Sequence, residues 1–171
     1  SKPTFEPGPA GPDHHGARTR RRRPTEGGAL RGGRRRDPKG KRFVGSALWR
    51  TETASPGPGL PPELAIRADV EVPERKLAMT WSLRRNTDKN LPASHTVEII
   101  FKLPADFPPG GVQSVPGIMM KQAEQTRGVP LAGTVVKVTS GYFLVGLSAL
   151  DSDKERNIQL LKERSWFDMP V

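Results

Sequence analysis

Leu77-Ala-Met-Thr-Trp-Ser-Leu-Arg-Arg85 and Thr96-Val-Glu-Ile-Ile-Phe-Lys-Leu103 are the stretches that decide the fold. In the first, Leu77, Met79, Trp81 and Leu83 alternate with Ala78, Thr80, Ser82 and Arg84. In the second, Val97, Ile99, Phe101 and Leu103 alternate with Thr96, Glu98, Ile100 and Lys102. Successive side chains of a strand point to opposite faces, so a period of two marks a half-buried strand. Leu77, Met79, Trp81, Leu83, Val97, Ile99 and Phe101 are therefore expected to share one core face.

The same pattern extends in both directions. Upstream, Ala68, Val70 and Val72 alternate with Arg67, Asp69 and Glu71, and Pro73-Glu-Arg75 is short enough for a hairpin connection. Phe43 to Glu52 reads as a first strand. Ser55-Pro-Gly-Pro-Gly-Leu-Pro-Pro62 is a loop, because proline lacks the ladder donor and fixes φ. Downstream, Pro104 stops the Val97 strand and Phe107-Pro-Pro-Gly-Gly111 is a turn cluster. Ile118-Met-Met-Lys121 is a short strand, and Gln122 to Gly128 a loop or single helical turn. Thr134 to Val138 and Tyr142 to Leu147 form a hairpin through Thr139-Ser-Gly141.

One helix is expected late in the chain. Ser152-x-x-Glu155 has the spacing of a capping box, Asp151 and Asp153 put negative charge in the first turn, and Ile158, Leu161 and Ser165 share a face. Many short strands and one helix predict a mostly β chain, an antiparallel β-sandwich with one late α-helix, over residues 43–171. A doubly wound βαβ layout is disfavoured by the single helix and by the lack of a Gly-rich phosphate loop after a strand. Met169-Pro-Val171 reads as the start of an extended run, so a further strand past Val171 is expected, with this domain truncated at its C-terminus.

Composition separates a tail from this body. Gly and Pro number 18 each among 171 residues, and apolar residues make up 34%. Residues 1–42 hold 13 of the 28 Lys and Arg but 4 of the 18 Asp and Glu, a net +9 of the chain's +10. So few apolar side chains cannot offset the cost of ordering a backbone, about 1–2 kcal/mol per residue, and 1–42 is expected to be a disordered Arg/Gly/Pro-rich tail. Arg20, Arg21, Arg22 and Arg23, with Arg34, Arg35 and Arg36, are candidate nucleic-acid contacts through phosphate neutralisation. No aromatic residue interleaves them to stack on bases. A linker or a gene-boundary segment explains the tail equally, since Arg, Gly, Pro and Ala share GC-rich codons.

With no cysteine, disulfides, thiolate metal sites and thiol catalysis are excluded. His14-His15 has no third ligand nearby, and no metal or other cofactor is expected. His95, the body's one histidine, could act as a base with Asp88 or Glu98, but no Ser or Cys nucleophile motif accompanies it, and a hydrogen-bonded histidine at a strand start accounts for it. Arg84, Arg85 and Asn86 open a polar turn and form a candidate interaction loop for an anion or carboxylate. Glu52, Glu98, Glu124 and Asp168 are the carboxylates a glycosidase pair would draw on, but spacing brings no two together. Trp49, Trp81 and Trp166 are expected in the core and not on a carbohydrate-stacking face.

Trp49-Arg-Thr-Glu52, Ser82-Leu-Arg-Arg-Asn86, Leu91-Pro-Ala-Ser-His-Thr-Val-Glu98, Pro116-Gly-Ile-Met-Met-Lys121, Ala123-Glu-Gln125 and Leu160-Leu-Lys-Glu-Arg-Ser-Trp-Phe-Asp168 resemble a family of uncharacterised alphaproteobacterial proteins, over roughly residues 38–171. The resemblance brings no established activity. It implies a membrane-anchoring segment before the β domain, more chain after the final Trp-Phe-Asp, and a cell-envelope setting. No Gly-rich ATP-lid motif or helical phospho-acceptor histidine marks a histidine kinase. The expectation is a non-enzymatic β-sandwich module that binds a protein partner or forms the soluble part of a cell-envelope protein. Nucleic-acid binding through the tail is the alternative, and an enzyme with no recognisable motif the second.

Overall fold

A computed structural model of the chain describes residues 25–26, 43–55, 58–107 and 111–171. The strands are β1 (Thr25–Glu26), β2 (Ser46–Ala54), β3 (Glu63–Val72), β4 (Leu77–Arg85), β5 (Ala93–Lys102), β6 (Met119–Lys121), β7 (Val129–Pro130), β8 (Gly133–Thr139), β9 (Tyr142–Ser148) and β10 (Trp166–Asp168), with one helix, α1 (Asp151–Glu163). The chain is mostly β, with antiparallel sheets and a single late helix among the described residues.

Seven strands make one sheet in the order β1-β2-β3-β4-β5-β9-β8, and three make a second in the order β10-β6-β7. β2 to β5 form a meander. Residues 111–132 pack on the inner face of the large sheet, and β8 follows at its far edge, outside β9. The 111–132 segment contributes Val112, Val115, Ile118, Met120 and Leu131 to the core, opposite Met79, Trp81, Val97, Ile99, Phe101, Phe143, Val145 and Leu147. Met79, Trp81, Val97, Ile99 and Phe101 are buried as their alternation requires, and Leu77 and Leu83 pack at the rim.

One row of the inner face runs Trp49, Ala68, Trp81, Ile99, Phe143 and Lys137 across six strands. Ala68 is fully buried and small, which lets the indoles on either side of it meet edge-on at 5.5 Å between ring centroids. Phe167 of β10 closes over the pair, stacked on Trp81 at 5.7 Å and edge-on to Trp49 at 5.8 Å. Trp166 is half-buried and lies outside this cluster.

Turn chemistry follows the sequence. Pro73–Arg75 is a single 3-10 turn that ends on Lys76 in the left-handed region, φ 49°. The Ser140-Gly141 corner folds so near β5 that a side chain at Gly141 would lie 2.9 Å from Phe101 O, while the Phe101 N–H donates to Gly141 O at 2.7 Å.

The end of the chain corrects three expectations. The helix starts at Asp151 with Leu150 as N-cap and no side-chain cap, so Ser152-x-x-Glu155 is not a capping box. The Ser148 hydroxyl takes the Leu150 N–H at 3.3 Å, which sets the entry turn before Ser152 is reached. The buried residues of α1 are Asn157 and Leu160, whereas Ser165 is exposed and Ile158 only half-buried. An asparagine at the packing face is invisible to a search for apolar periodicity. The extended run expected to start at Met169 begins earlier, since Trp166–Asp168 is itself a strand that pairs antiparallel with Lys121–Met119.

Candidate interaction surface

The outer face of the large sheet is open and divides by chemistry. On the β2–β5 half, Arg50 and Arg67 stand directly opposite each other, a like-charge pair that would repel if left alone. Two carboxylates offset it. Asp69 accepts from Arg50, from Arg67 Nε at 3.2 Å and from the Thr80 hydroxyl at 3.2 Å. Glu52 lies 3.6 Å from Arg50 and 3.9 Å from Arg67. Burial pushes the Asp69 carboxyl up, but the hydrogen bonds from Arg50 and Arg67 outweigh this and hold it below the ordinary range. Next along, Arg84 Nη2 donates to Glu98 Oε1 at 2.5 Å.

On the β5–β9–β8 half the same face turns apolar. Ile100, Val136 and Val138 are 38%, 55% and 50% exposed, and Leu144 lies in the row between Glu98 and Val136. Tyr142 follows Ile100 across the ladder. Its hydroxyl is shifted upward by burial and by the neighbouring Glu98, partly offset by Arg84, so it stays protonated at neutral pH.

This apolar half runs into the edge strand β8, which among the described residues pairs only with β9. Ser148 N–H donates to Ala132 O at 2.9 Å. By the alternation of an antiparallel ladder, Thr134 and Val136 then turn their backbone groups to β9, while Gly133, Val135 and Lys137 turn theirs outward. Edge strands are guarded by charges on either face, prolines or bulges, and β8 has a bulge between Lys137 and Thr139 that leaves Gly133 to Lys137 in regular register. Here the strand's one charge, Lys137, is drawn over the inner face. Its ammonium lies 5.9 Å from the Phe143 ring centroid and donates to Gln113 O at 3.4 Å. The opposite edge differs. β2 carries Arg50 and Glu52, and Thr25–Glu26 pairs with Ala47–Ser46.

Arg20 to Arg23 and Arg34 to Arg36 lie outside the described residues, as does the expected disorder of the 1–42 tail except at Thr25–Glu26, which pairs as a short strand with Ala47–Ser46. Of the candidate loop, Arg84 is held by Glu98, and Asn86 is turned into its own loop, where Nδ2 faces Asp88 O at 3.0 Å, Leu91 O at 2.9 Å and Ala93 O at 2.8 Å. Of the three, Arg85 is the exposed one. His95 lies opposite Arg85, with Nδ1 3.2 Å from Ser94 Oγ. Asp88 accepts from Asn90 N–H and Glu98 is engaged with Arg84 on the other face, so neither carboxylate is joined to the imidazole. Burial first, then Arg85 and Lys154, lower the His95 pKa. Glu52 and Glu98 sit on the outer face, and Asp168 lies 3.8 Å from Lys121 in the other sheet. Among the described residues no group of His, Asp and Glu has the geometry of a metal site, and no helix is long and apolar enough to cross a membrane.

Sequence reasoning did not single out the β8 edge. A signal was present: Thr134-Val-Val-Lys-Val-Thr139 is β-branched at every position but one. What it lacks is any indication that Lys137 faces inward. No protein-family model, curated protein or solved structure matches the chain.

Proposed function

We propose that this chain is a non-enzymatic protein-interaction module that receives an extended segment of a partner on β8. The observation that carries this reading is an edge strand in regular register from Gly133 to Lys137, with outward backbone groups at Gly133, Val135 and Lys137 and no charged side chain on its outer face. Strand addition supplies affinity through main-chain hydrogen bonds and specificity through alternate side chains. The exposed Val136 and Val138, continuous with Ile100 and Leu144, would take apolar side chains of the added strand. A cell-envelope setting is the one that the family resemblance implies.

Site-specific photo-crosslinking in the cells that make the protein tests this. A photoreactive residue in place of Val136 is expected to give a discrete protein adduct that is lost with Val138→Lys. The same residue in place of Leu48, exposed on β2, is expected to give none. Equal labelling from both positions, or none from position 136, overturns the reading.

A second reading rests on the segregation of charge, with net +9 confined to residues 1–42. Such a tail binds nucleic acid through counterion release. Binding that weakens steeply with salt and disappears when 1–42 is removed would support it. Binding retained by 43–171 alone would refute it.

A further inference from the structure

We propose that the segment β8 receives is β8 of a second copy of this chain, joined antiparallel about a two-fold axis at Val136, so that two seven-stranded sheets run on as one. The proposal rests on the reading of β8 as the docking edge and names its partner.

The strand is self-complementary in this register. Val136 turns its own backbone groups to β9, so on the open side Val136 faces Val136 of the second copy as a non-hydrogen-bonded pair. The outward backbone groups of Val135 then meet those of Lys137 from the other chain, and the reverse pair forms by symmetry. On the outer face Val136 opposes itself, and Thr134 lies towards Val138, the residue of the bulge that ends the regular register after Lys137. All are β-branched, and Val136 and Val138 are half exposed in one copy. On the inner face each Lys137 opposes a Val135, so the two lysines are never directly paired, and each ammonium is already held by Gln113 O and the Phe143 ring. No like charges therefore meet across the axis.

The apolar half of the outer face adds to the strand pairing. The two-fold sets Val136, Val138, Leu144 and Ile100 of one copy beside the same residues of the other, making one apolar band across the joint. The β2 edge offers no equivalent, because Thr25–Glu26 already pairs along Ala47–Ser46 and would have to be displaced.

The absence of cysteine makes the register directly testable in the full chain. Non-hydrogen-bonded pairs place Cα atoms about 4.5 Å apart, within the reach of a disulfide. Val136→Cys under mild oxidation is expected to give a covalent dimer, and Leu48→Cys, exposed on the opposite half, to stay monomeric. Light scattering of the cysteine-free chain is expected to rise from 18.7 kDa towards twice that with concentration. Val136→Lys, which sets two ammonium groups face to face at an exposed position, is expected to abolish that rise with the far-ultraviolet circular dichroism unchanged. A chain that stays monomeric at all concentrations, with no cross-link in the Val136→Cys variant, overturns self-pairing. A dimer that survives Val136→Lys overturns it too, since the copies then meet elsewhere. In either case the strand-docking reading stands separately on whether a photoreactive residue at position 136 captures a different protein.

Discussion

Asn157 of α1 bonds both backbone groups of Ala132: its Oδ1 accepts the Ala132 N–H at 2.8 Å, and its Nδ2 donates to Ala132 O, also at 2.8 Å. Asn157 is 2% exposed, so these bonds lie away from water. They fix the helix to the residue that leads into β8, and Ser148 N–H shares the same carbonyl. Asn157→Ala leaves the carbonyl one partner but strands the N–H. A buried unsatisfied donor costs about 1–3 kcal/mol. Asn157→Asp keeps an acceptor for the N–H and sets a second oxygen against Ala132 O, so it is expected to destabilise as well. Urea unfolding of both variants checks this; an unchanged midpoint for Asn157→Ala would show the helix attachment to be dispensable.

Phe101 is 6% exposed and meets Phe143 edge-on at 6.1 Å. Truncating a buried phenylalanine costs about 3–5 kcal/mol through lost burial and the cavity left behind. Native stabilities are about 5–15 kcal/mol, so Phe101→Ala is expected to leave the domain marginal or unfolded at room temperature. Phe101→Leu keeps most of the volume and is expected to cost much less. Denaturant melts of the pair separate a packing role for this face from a register in which Phe101 is peripheral.

The central strands of the large sheet were legible because they have a dry face and a wet face, as Met79, Trp81 and Phe101 against Thr80, Ser82 and Lys102 demonstrate. What was not legible is what depends on a partner distant in sequence. β10 is three residues long and is a strand only because Met119–Lys121 lies beside it. Asn157 reads as a surface residue until Ala132 is placed against it. The interaction surface was harder still. A lysine in a strand looks like an edge guard, and only the position of the Phe143 ring shows Lys137 turned the other way. The Arg84-Arg85-Asn86 loop, read as a contact site, is built largely from its own internal bonds.

The Asn86 side chain is the centre of that loop. Its Nδ2 carries two hydrogens for three carbonyls, and its Oδ1 accepts the Asp88 N–H at 3.0 Å. Asn86→Ala is expected to free the segment from Asn86 to Ala93 while the sheet stays intact. Amide exchange would rise within that segment and hold steady in the strand from Val97 to Phe101. Uniformly faster exchange would mean that Asn86 supports the whole domain.

Trp81 has a buried indole N–H with no hydrogen-bond partner among the described residues. Its ring rests on Phe167, which also meets Trp49. Favourable aromatic pairs are worth about 0.5–1.5 kcal/mol each beyond their area. Phe167→Leu keeps apolar volume but loses both pairs, and is expected to cost about 1–3 kcal/mol on that basis. Near-ultraviolet circular dichroism, which senses fixed indoles, is expected to weaken in the variant. An unaltered spectrum would mean that β10 does not order the two tryptophans.

His95 sets the direction of the pH response near neutrality. Burial and the nearby Arg85 and Lys154 place its pKa below the ordinary 6.5. Well above pH 6.5 the ring is neutral whether the chain is folded or not, and it adds no pH dependence. As pH falls through 6.5, the unfolded chain takes up a proton there before the folded chain does, so stability falls with acidification down to the folded pKa. One proton limits the slope to about 1.4 kcal/mol per pH unit, and solvent screening of a partly exposed ring reduces it well below that. Asp69 acts with the same sign, but only as pH nears 3.8 and below, outside this window. His95→Gln is thus expected to parallel the parent protein from about pH 7 to 8 and to lose less stability between about pH 6.5 and 5. Lys154→Gln, which removes one of the two cations, is expected to raise the His95 titration towards 6.5 when followed by NMR of its ring protons. A His95 titrating above 6.5, or a Lys154→Gln shift in the opposite direction, would mean that the imidazole is governed by a carboxylate and not by these cations.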